Sequence, residues 1–535
     1  MEKIIHQIPW GCLVVLGIAS AGVLSSCGGG GAPPPVGCVN TSTIACTQSG
    51  QVRGVIEGNL RSFRGIPYAA PPVGNLRWRP PAPPPTWNGV RDASTFGNVC
   101  PQINFNNQLV GDEDCLVLNI FTSAPLPSSK EPVMVFFHGG GNRRGDSHRP
   151  PFDSPPLAAN GAIVVAAEYR LGFFGFLANP LLTAEGGGSS GNYALLDMIA
   201  ALSWVKQNIA NFGGDPSRVM LFGQSAGSFD IQYLLVVSPA QGLFSAAGME
   251  SGAIPSSSKA SWIPTQAVAD AASAPFVATM GCTNAADVLA CLRAVPQDTI
   301  VTYPNNFTLG PGLGSTFLPV DMFTAIQQHG SPVPLLIGST REEYTGIADD
   351  PTVPLTSAQY AAEIHTEFDS FGAGVANQVL ALYPDSAYDT PQYALIAVHS
   401  DYQLTCEVRN VALAAAGVQR PNVWRYLYTH RYENDQNLNA LRAFHTAELF
   451  FIFGNLGNIS GTLYTPSAAE LTFSQDMMGY WTRFAATGDP NGAGATQWLP
   501  YDVANEHMLQ LDETFTPIDG YHAPQCNYLS TLPQP

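Results

Sequence analysis

A serine set between two glycines, in Gly223-Gln224-Ser225-Ala226-Gly227, is the pattern in this chain best suited to nucleophilic chemistry. A serine hydroxyl attacks a carbonyl usefully only when a base takes its proton and N–H donors receive the charge that develops on the carbonyl oxygen. Histidine is the natural base, and a carboxylate behind it fixes its tautomer. With ten histidines available, position has to choose among them, and His445 stands out because it lies in a loop soon after an apolar run at 424–428. The carboxylate candidates are Glu342 and Glu343, where an apolar run at 335–338 exits through Ser339-Thr340-Arg341. Backbone donors are best supplied where no side chain blocks approach. His138-Gly139-Gly140-Gly141 meets that condition, and the N–H of Ala226 adds another donor.

These residues need elements that bring them together. Met220, Leu221 and Phe222 suit a buried strand, while Phe229, Ile231, Leu234, Leu235 and Val236 give apolar positions that helical spacing gathers onto one face. Strand, sharp turn and helix then make a nucleophile elbow, in which Gly223 and Gly227 are required because strand and helix come too close for a Cβ. The helix also aims its positive end at Ser225. Runs at 116–121, 133–138, 163–169 and 219–223 are continuously apolar, as in strands buried on both faces, and 193–209 reads as a helix between the last two. Later strands are expected at 246–250, 335–338 and 424–428, a helix at 475–487, and an amino-terminal hairpin from 51–56 and 60–68. This alternation predicts an α/β protein with a mostly parallel central sheet flanked by helices, and with helical and loop insertions that form the substrate pocket. In the α/β-hydrolase fold of this kind the triad runs serine, acid, histidine along the chain.

Lys3 precedes an apolar run at 12–24 that is too short to span a membrane and reads as a secretory signal. It ends in Leu24-Ser25-Ser26-Cys27, which resembles a bacterial lipobox, in which Cys27 becomes a lipid-carrying amino terminus. The expected organisation is a signal at 1–27, a Gly/Pro-rich tether at 28–37, and one domain over 38–535. The expected location is outside the cytoplasmic membrane, anchored on the periplasmic or cell-surface side, with secretion as the alternative. Lysine plus arginine number 23 against 41 aspartate plus glutamate, and the resulting −18 argues against nucleic acid and leaves the lipid as the sole expected membrane contact. Export implies an oxidising compartment. Eight of the ten cysteines lie outside the leader, which allows 105 disulfide pairings. None falls in a zinc-like Cys/His spacing, so disulfides rather than a metal site are expected, and the serine chemistry implies no metal or cofactor.

In order along the chain come Phe63-Arg64-Gly65-Ile66-Pro67-Tyr68-Ala69, Glu113-Asp114-Cys115-Leu116-Val117-Leu118-Asn119-Ile120, the His-Gly-Gly-Gly, Asn211-Phe212-Gly213-Gly214-Asp215-Pro216, the elbow, and Phe484-Ala485-Ala486-Thr487-Gly488-Asp489-Pro490. Taken together they resemble the type-B carboxylesterase and cholinesterase family over nearly the whole chain beyond the leader. The resemblance implies a hydrolase of carboxylic esters acting through an acyl-enzyme, with Ser225 as nucleophile, Glu343 as acid and His445 as base. It places the oxyanion donors at Gly140, Gly141 and Ala226. It also implies disulfides Cys100–Cys115, Cys282–Cys291 and Cys406–Cys526, and leaves Cys38 for Cys46. Two departures bear on substrate. Gln224 stands where the family usually has glutamate, and the Cys100–Cys115 loop is much shorter than the cholinesterase loop that carries a choline-stacking tryptophan, so a choline ester is not expected. Asn142-Arg143-Arg144 replaces a common aromatic residue and makes the oxyanion loop more basic. Gln224, Arg143 and Arg144 are therefore candidate substrate contacts: either both arginines lie on the surface and pair with nearby acids such as Asp146, the expected arrangement for exposed arginine, or one points inward and favours esters bearing a free carboxylate. The alternatives are a lipase acting on acylglycerols at interfaces and a non-catalytic binding protein on the same fold; the complete triad argues against the second.

Overall fold

The structure is a computed structural model that describes residues 39–123, 129–153, 155–254, 263–304, 311–345, 347–418 and 422–533. The leader, the tether, Cys27 and Cys38 lie outside the described residues. Among the described residues, eleven strands form the main sheet: β1 (Val55–Glu57), β2 (Leu60–Pro67), β3 (Val117–Thr122), β4 (Glu131–Phe137), β5 (Ile163–Ala167), β6 (Gly214–Gln224), β7 (Ala246–Glu250), β8 (Leu335–Thr340), β9 (Val423–Tyr428), β10 (His507–Leu511) and β11 (Thr516–Asp519). Their spatial order is β11-β10-β9-β8-β7-β6-β4-β5-β3-β2-β1. The run from β5 through β4 and β6 to β10 is parallel throughout, and antiparallel strands finish both ends.

The continuous apolar runs are explained by burial on both faces. In β4, Val133, Val135 and Phe137 enter one apolar cluster and Met134 and Phe136 enter the other, so each residue of the run has a core to fill. The helices Tyr193–Asn208 and Ala226–Val236 cover the first face, and the long helix Ala468–Thr487 covers the second. Because neighbouring central strands are parallel, the loops that leave β4, β6, β8 and β9 all emerge at one edge of the sheet. That edge is where ligands bind in sheets of this class.

The structure moves some boundaries. The expected hairpin is made by β1 and β2, whereas Gly50–Arg53 pairs with Ile44–Thr47 in a separate small sheet. The helix expected at 475–487 starts earlier, at Ala468, because Ser467 accepts the N–H of Glu470 and Glu470 reaches back to the N–H of Ser467, a capping box that sets its first turn. Disulfides join Cys100 to Cys115, Cys282 to Cys291 and Cys406 to Cys526. Cys46 is also disulfide-bonded. The described residues fall in one compact unit, and none of its helices is long and apolar enough to cross a membrane.

Candidate active site

Ser225 sits where β6 turns into the helix Ala226–Val236, with φ 56° and ψ −122°. This backbone conformation is costly for any residue with a Cβ and persists only where its surroundings enforce it. The enforcement is visible: the N–H of Ser225 donates to the carbonyl of Glu250 at 2.9 Å, and the carbonyl of Ser225 accepts from Phe229 at 3.0 Å. A Cβ on Gly227 would lie 2.1 Å from the carbonyl oxygen of Phe137, the last residue of β4. The glycine is therefore required by the neighbouring strand as well as by the turn. Ser225 ends half-buried on the helix N-terminus, lifted off the sheet edge.

His445 lies between two residues with positive φ, Arg442 at 58° and Thr446 at 81°, and just ahead of the helix Ala447–Phe453. Its ring is clamped from behind. Nδ1 lies 2.5 Å from Glu343 Oε2, while Glu343 Oε1 accepts the N–H of Thr340 at 2.7 Å, so both oxygens of this fully buried carboxylate are assigned. Facing a carboxylate, Nδ1 carries the proton and Nε2 keeps its lone pair. The side-chain amide of Gln224, itself buried, donates to that Nε2 at 3.0 Å. Gln224 thus meets the histidine from the residue next to Ser225.

Glu342 turns away from His445. It pairs with Arg341 at 2.8 Å and with Arg442 at 3.7 Å, and it accepts the N–H of Ala443 at 3.2 Å. The backbone of Glu342 also donates to the carbonyl of Ala443 at 3.1 Å. Between the two adjacent acids, Glu343 holds the ring and Glu342 holds the loop that carries it.

The glycine loop after β4 folds back on itself, since the carbonyl of Gly140 accepts the N–H groups of Arg143 and Arg144, each at 3.2 Å. Among the described residues, the N–H groups of Gly140, Gly141 and Ala226 donate none of the backbone hydrogen bonds that lie outside helices and strands. Asn142 ties the loop to the helix Ala226–Val236 by donating to Asp230, at 3.1 Å. Burial, opposed by the bond from Asn142, pushes the Asp230 carboxyl up to about 8. Arg143 is exposed. The guanidinium of Arg144 lies 5.2 Å from the centre of the Phe105 ring, and Arg149 lies 4.3 Å from the same ring.

Two acids behind the histidine were missed by the sequence reading. Glu448 accepts from Ser251 Oγ at 2.9 Å, and Glu250 accepts from Trp481 Nε1 at 2.7 Å; both carboxyls are fully buried. Burial, with Glu343 and Glu250 nearby, holds the Glu448 carboxyl well above the usual range. Burial also pushes Glu250 up to about 8, against the bond from Trp481. The available signal was an acid inside an apolar run, in Ala246-Ala247-Gly248-Met249-Glu250 and in Ala447-Glu448-Leu449-Phe450-Phe451. Among the described residues, no cluster of histidine, cysteine and acid could hold a metal ion.

With that geometry in place, comparison with known proteins narrows the reading. A family model described as "Carboxylesterase family" matches residues 40–529. The chain is 36% identical to the para-nitrobenzyl esterase of Bacillus subtilis (strain 168) over 498 residues, covering 89% of this chain and 96% of that protein. It is 33% identical to the fumonisin B1 esterase of Sphingopyxis macrogoltabida over 478 residues, covering 86% and 85%. Among solved structures, a PNB esterase superposes with a TM-score of 0.74 at 32% identity, covering 91% of this chain and 100% of that one.

Proposed function

The chain belongs to the carboxylesterase family and is a serine hydrolase of carboxylic esters, and from that premise we propose that Ser225, His445 and Glu343 carry the reaction. His445 Nε2 takes the Ser225 proton, the serine oxygen attacks the ester carbonyl, and the N–H groups of Gly140, Gly141 and Ala226 receive the oxyanion. His445 then gives the proton to the leaving alcohol and activates water to release the acid, while Glu343 steadies the imidazolium. For the first step Nε2 must exchange the Gln224 amide for the serine hydroxyl, and catalytic hydrogen bonds of this kind often form only once substrate is bound. The observation that carries this reading is the 2.5 Å contact from His445 Nδ1 to a buried Glu343 already fixed by a backbone N–H, because it leaves Nε2 as the proton acceptor. The test is covalent: a fluorophosphonate ester should add one adduct per chain, found by peptide mass spectrometry on Ser225, and an adduct on another residue would end the proposal.

For substrate, we propose esters that bear a free carboxylate. The basic loop Arg143-Arg144 follows the proposed oxyanion glycines, and Gln224 removes a negative charge that anionic substrates would otherwise meet. A relative 33% identical to this chain is named a fumonisin B1 esterase. Arg143→Ala and Arg144→Ala should each narrow the kcat/KM advantage of an acidic ester over its neutral analogue by roughly tenfold, the size of one charge-assisted hydrogen bond. A ratio unchanged in both variants removes the preference. We also propose that the mature chain begins at a lipid-modified Cys27, that residues 28–37 tether it, and that the domain over 38–535 works outside the cytoplasmic membrane, on the basis of the leader sequence alone.

A further inference from the structure

The loop closed by Cys100–Cys115 lies beside the oxyanion loop, and one side chain joins them. Gln102 is 2% exposed. Its Oε1 accepts the N–H of Gly145 at 2.8 Å, and its Nε2 donates to the carbonyl of Gly145 at 2.8 Å and to that of Cys100 at 3.1 Å. One amide therefore grips both polar atoms of residue 145 and anchors itself at the disulfide. Gly145 is a sensitive place to grip. It has φ 118°, and a Cβ there would lie 2.4 Å from the carbonyl oxygen of Gly139 and 2.6 Å from His138 Nδ1, so its backbone is packed against the start of the glycine loop. Residues 140 and 144 are already tied by the turn that Gly140 closes, and holding Gly145 fixes the far end of that turn.

The hairpin gives the grip a rigid base. Gln102 and Ile103 pair with Leu109 and Val110, the N–H of Asp112 donates to the carbonyl of Val99 at 3.0 Å, and the disulfide closes the loop. At the tip, Phe105 is 51% exposed to solvent, yet Arg144 and Arg149 both lie over its ring, so the hairpin touches the oxyanion loop at a second point. Alternatives for Gln102 are few: a buried amide needs partners, but the Cys100 carbonyl alone would satisfy only one of its donors.

We propose that Gln102 is a positioning residue for ester hydrolysis, holding the glycine loop in the register in which its N–H groups meet the developing oxyanion. The proposal rests on the oxyanion assignment above. Losing the grip leaves ground-state binding intact and misaligns donors that matter only in the transition state, so it falls on kcat. The effect is smaller than outright loss of a donor, which costs about 10²–10³-fold.

The experiment measures Gln102→Met, which keeps length and burial but removes all three bonds, with rates referred to active sites titrated by a fluorophosphonate. Against a p-nitrophenyl butyrate substrate, kcat should fall about 10- to 100-fold with KM within about threefold of wild type. Inhibition by an alkyl trifluoromethyl ketone, whose serine adduct carries an oxyanion, should weaken by the same factor, while the corresponding carbinol, which forms no adduct, should bind as before. Gln102→Glu, whose acid form offers the same paired donor and acceptor, should recover part of both losses, and it carries the test if the methionine variant yields no titratable sites. Unchanged kcat, or a fall in kcat with ketone affinity intact, overturns the role of Gln102. Failure of the triad reading is separate and shows as fluorophosphonate labelling away from Ser225.

Discussion

At the scale of single residues, the two adjacent glutamates show how far sequence reaches. The chain displayed Glu342 and Glu343 as equals after one strand, and only the resemblance preferred the second. The structure separates them by partners: His445 for Glu343, Arg341, Arg442 and Ala443 for Glu342. Glu343→Gln should cost roughly 10³–10⁴ in kcat, because an amide no longer dictates the histidine tautomer. The resemblance makes Glu342→Gln mild. Its grip on the His445 loop raises that expectation to a loss of about tenfold with a lowered melting temperature, consistent with a hydrogen bond to a charged group. Paired kinetics and melting curves decide the matter, and a larger kcat loss for Glu342→Gln would show that the acid is misassigned. Gln224 was legible only as a departure from a pattern; that its amide reaches the histidine could not be read, because the contact joins residues 221 positions apart.

Elements were legible wherever one physical demand dominated the local sequence. β4 through β9 announced themselves because burial on both faces forces unbroken apolar runs, and the elbow did because two close backbones exclude side chains at fixed spacing. β10 and β11 were not seen. They belong to the edge of the sheet, where His507, Gln510, Thr516 and Asp519 interrupt any run. The hairpin of residues 102–103 and 109–110 was missed because two-residue strands carry no periodicity. The strained elbow gives a prediction about stability as well as rate. Ser225→Gly relieves a positive φ, so it should be inactive yet melt roughly 1–2 °C above wild type, given a strain of about 1–3 kcal/mol spread over the unfolding entropy of so long a chain. Gly227→Ala should melt lower, since its Cβ has no room beside Phe137. A Ser225→Gly variant that melts below wild type would argue that the turn is not strained in solution.

For the molecule as a whole, several buried groups share one dependence on pH. Burial pushes Glu250 and Asp230 up to about 8, far above the values near 4 that they have in an unfolded chain. At His430, burial alone would lower the pKa, but Asp512 and Glu470 outweigh it and raise it to about 9. In each case the native state keeps a proton that the unfolded state releases. The contributions are therefore complete below the unfolded value and are lost as pH rises through the folded one. Melting temperature should fall as pH rises from about 4 to 8 for the two acids and from about 6.5 to 9 for His430, and Glu250→Gln, which needs no proton, should fall less steeply; parallel curves for the two proteins would contradict the burial of an acid there. At the same scale, Cys27→Ala should move the protein from the membrane fraction to the soluble one, and an unchanged distribution would remove the proposed anchor. The proposed chemistry depends on one hydroxyl, and the most direct measurement is ester turnover by Ser225→Ala, compared with wild type at equal folded concentration judged by melting. It predicts a fall of about 10⁴-fold or more with the fold retained; a folded variant that keeps even a tenth of wild-type turnover would contradict it.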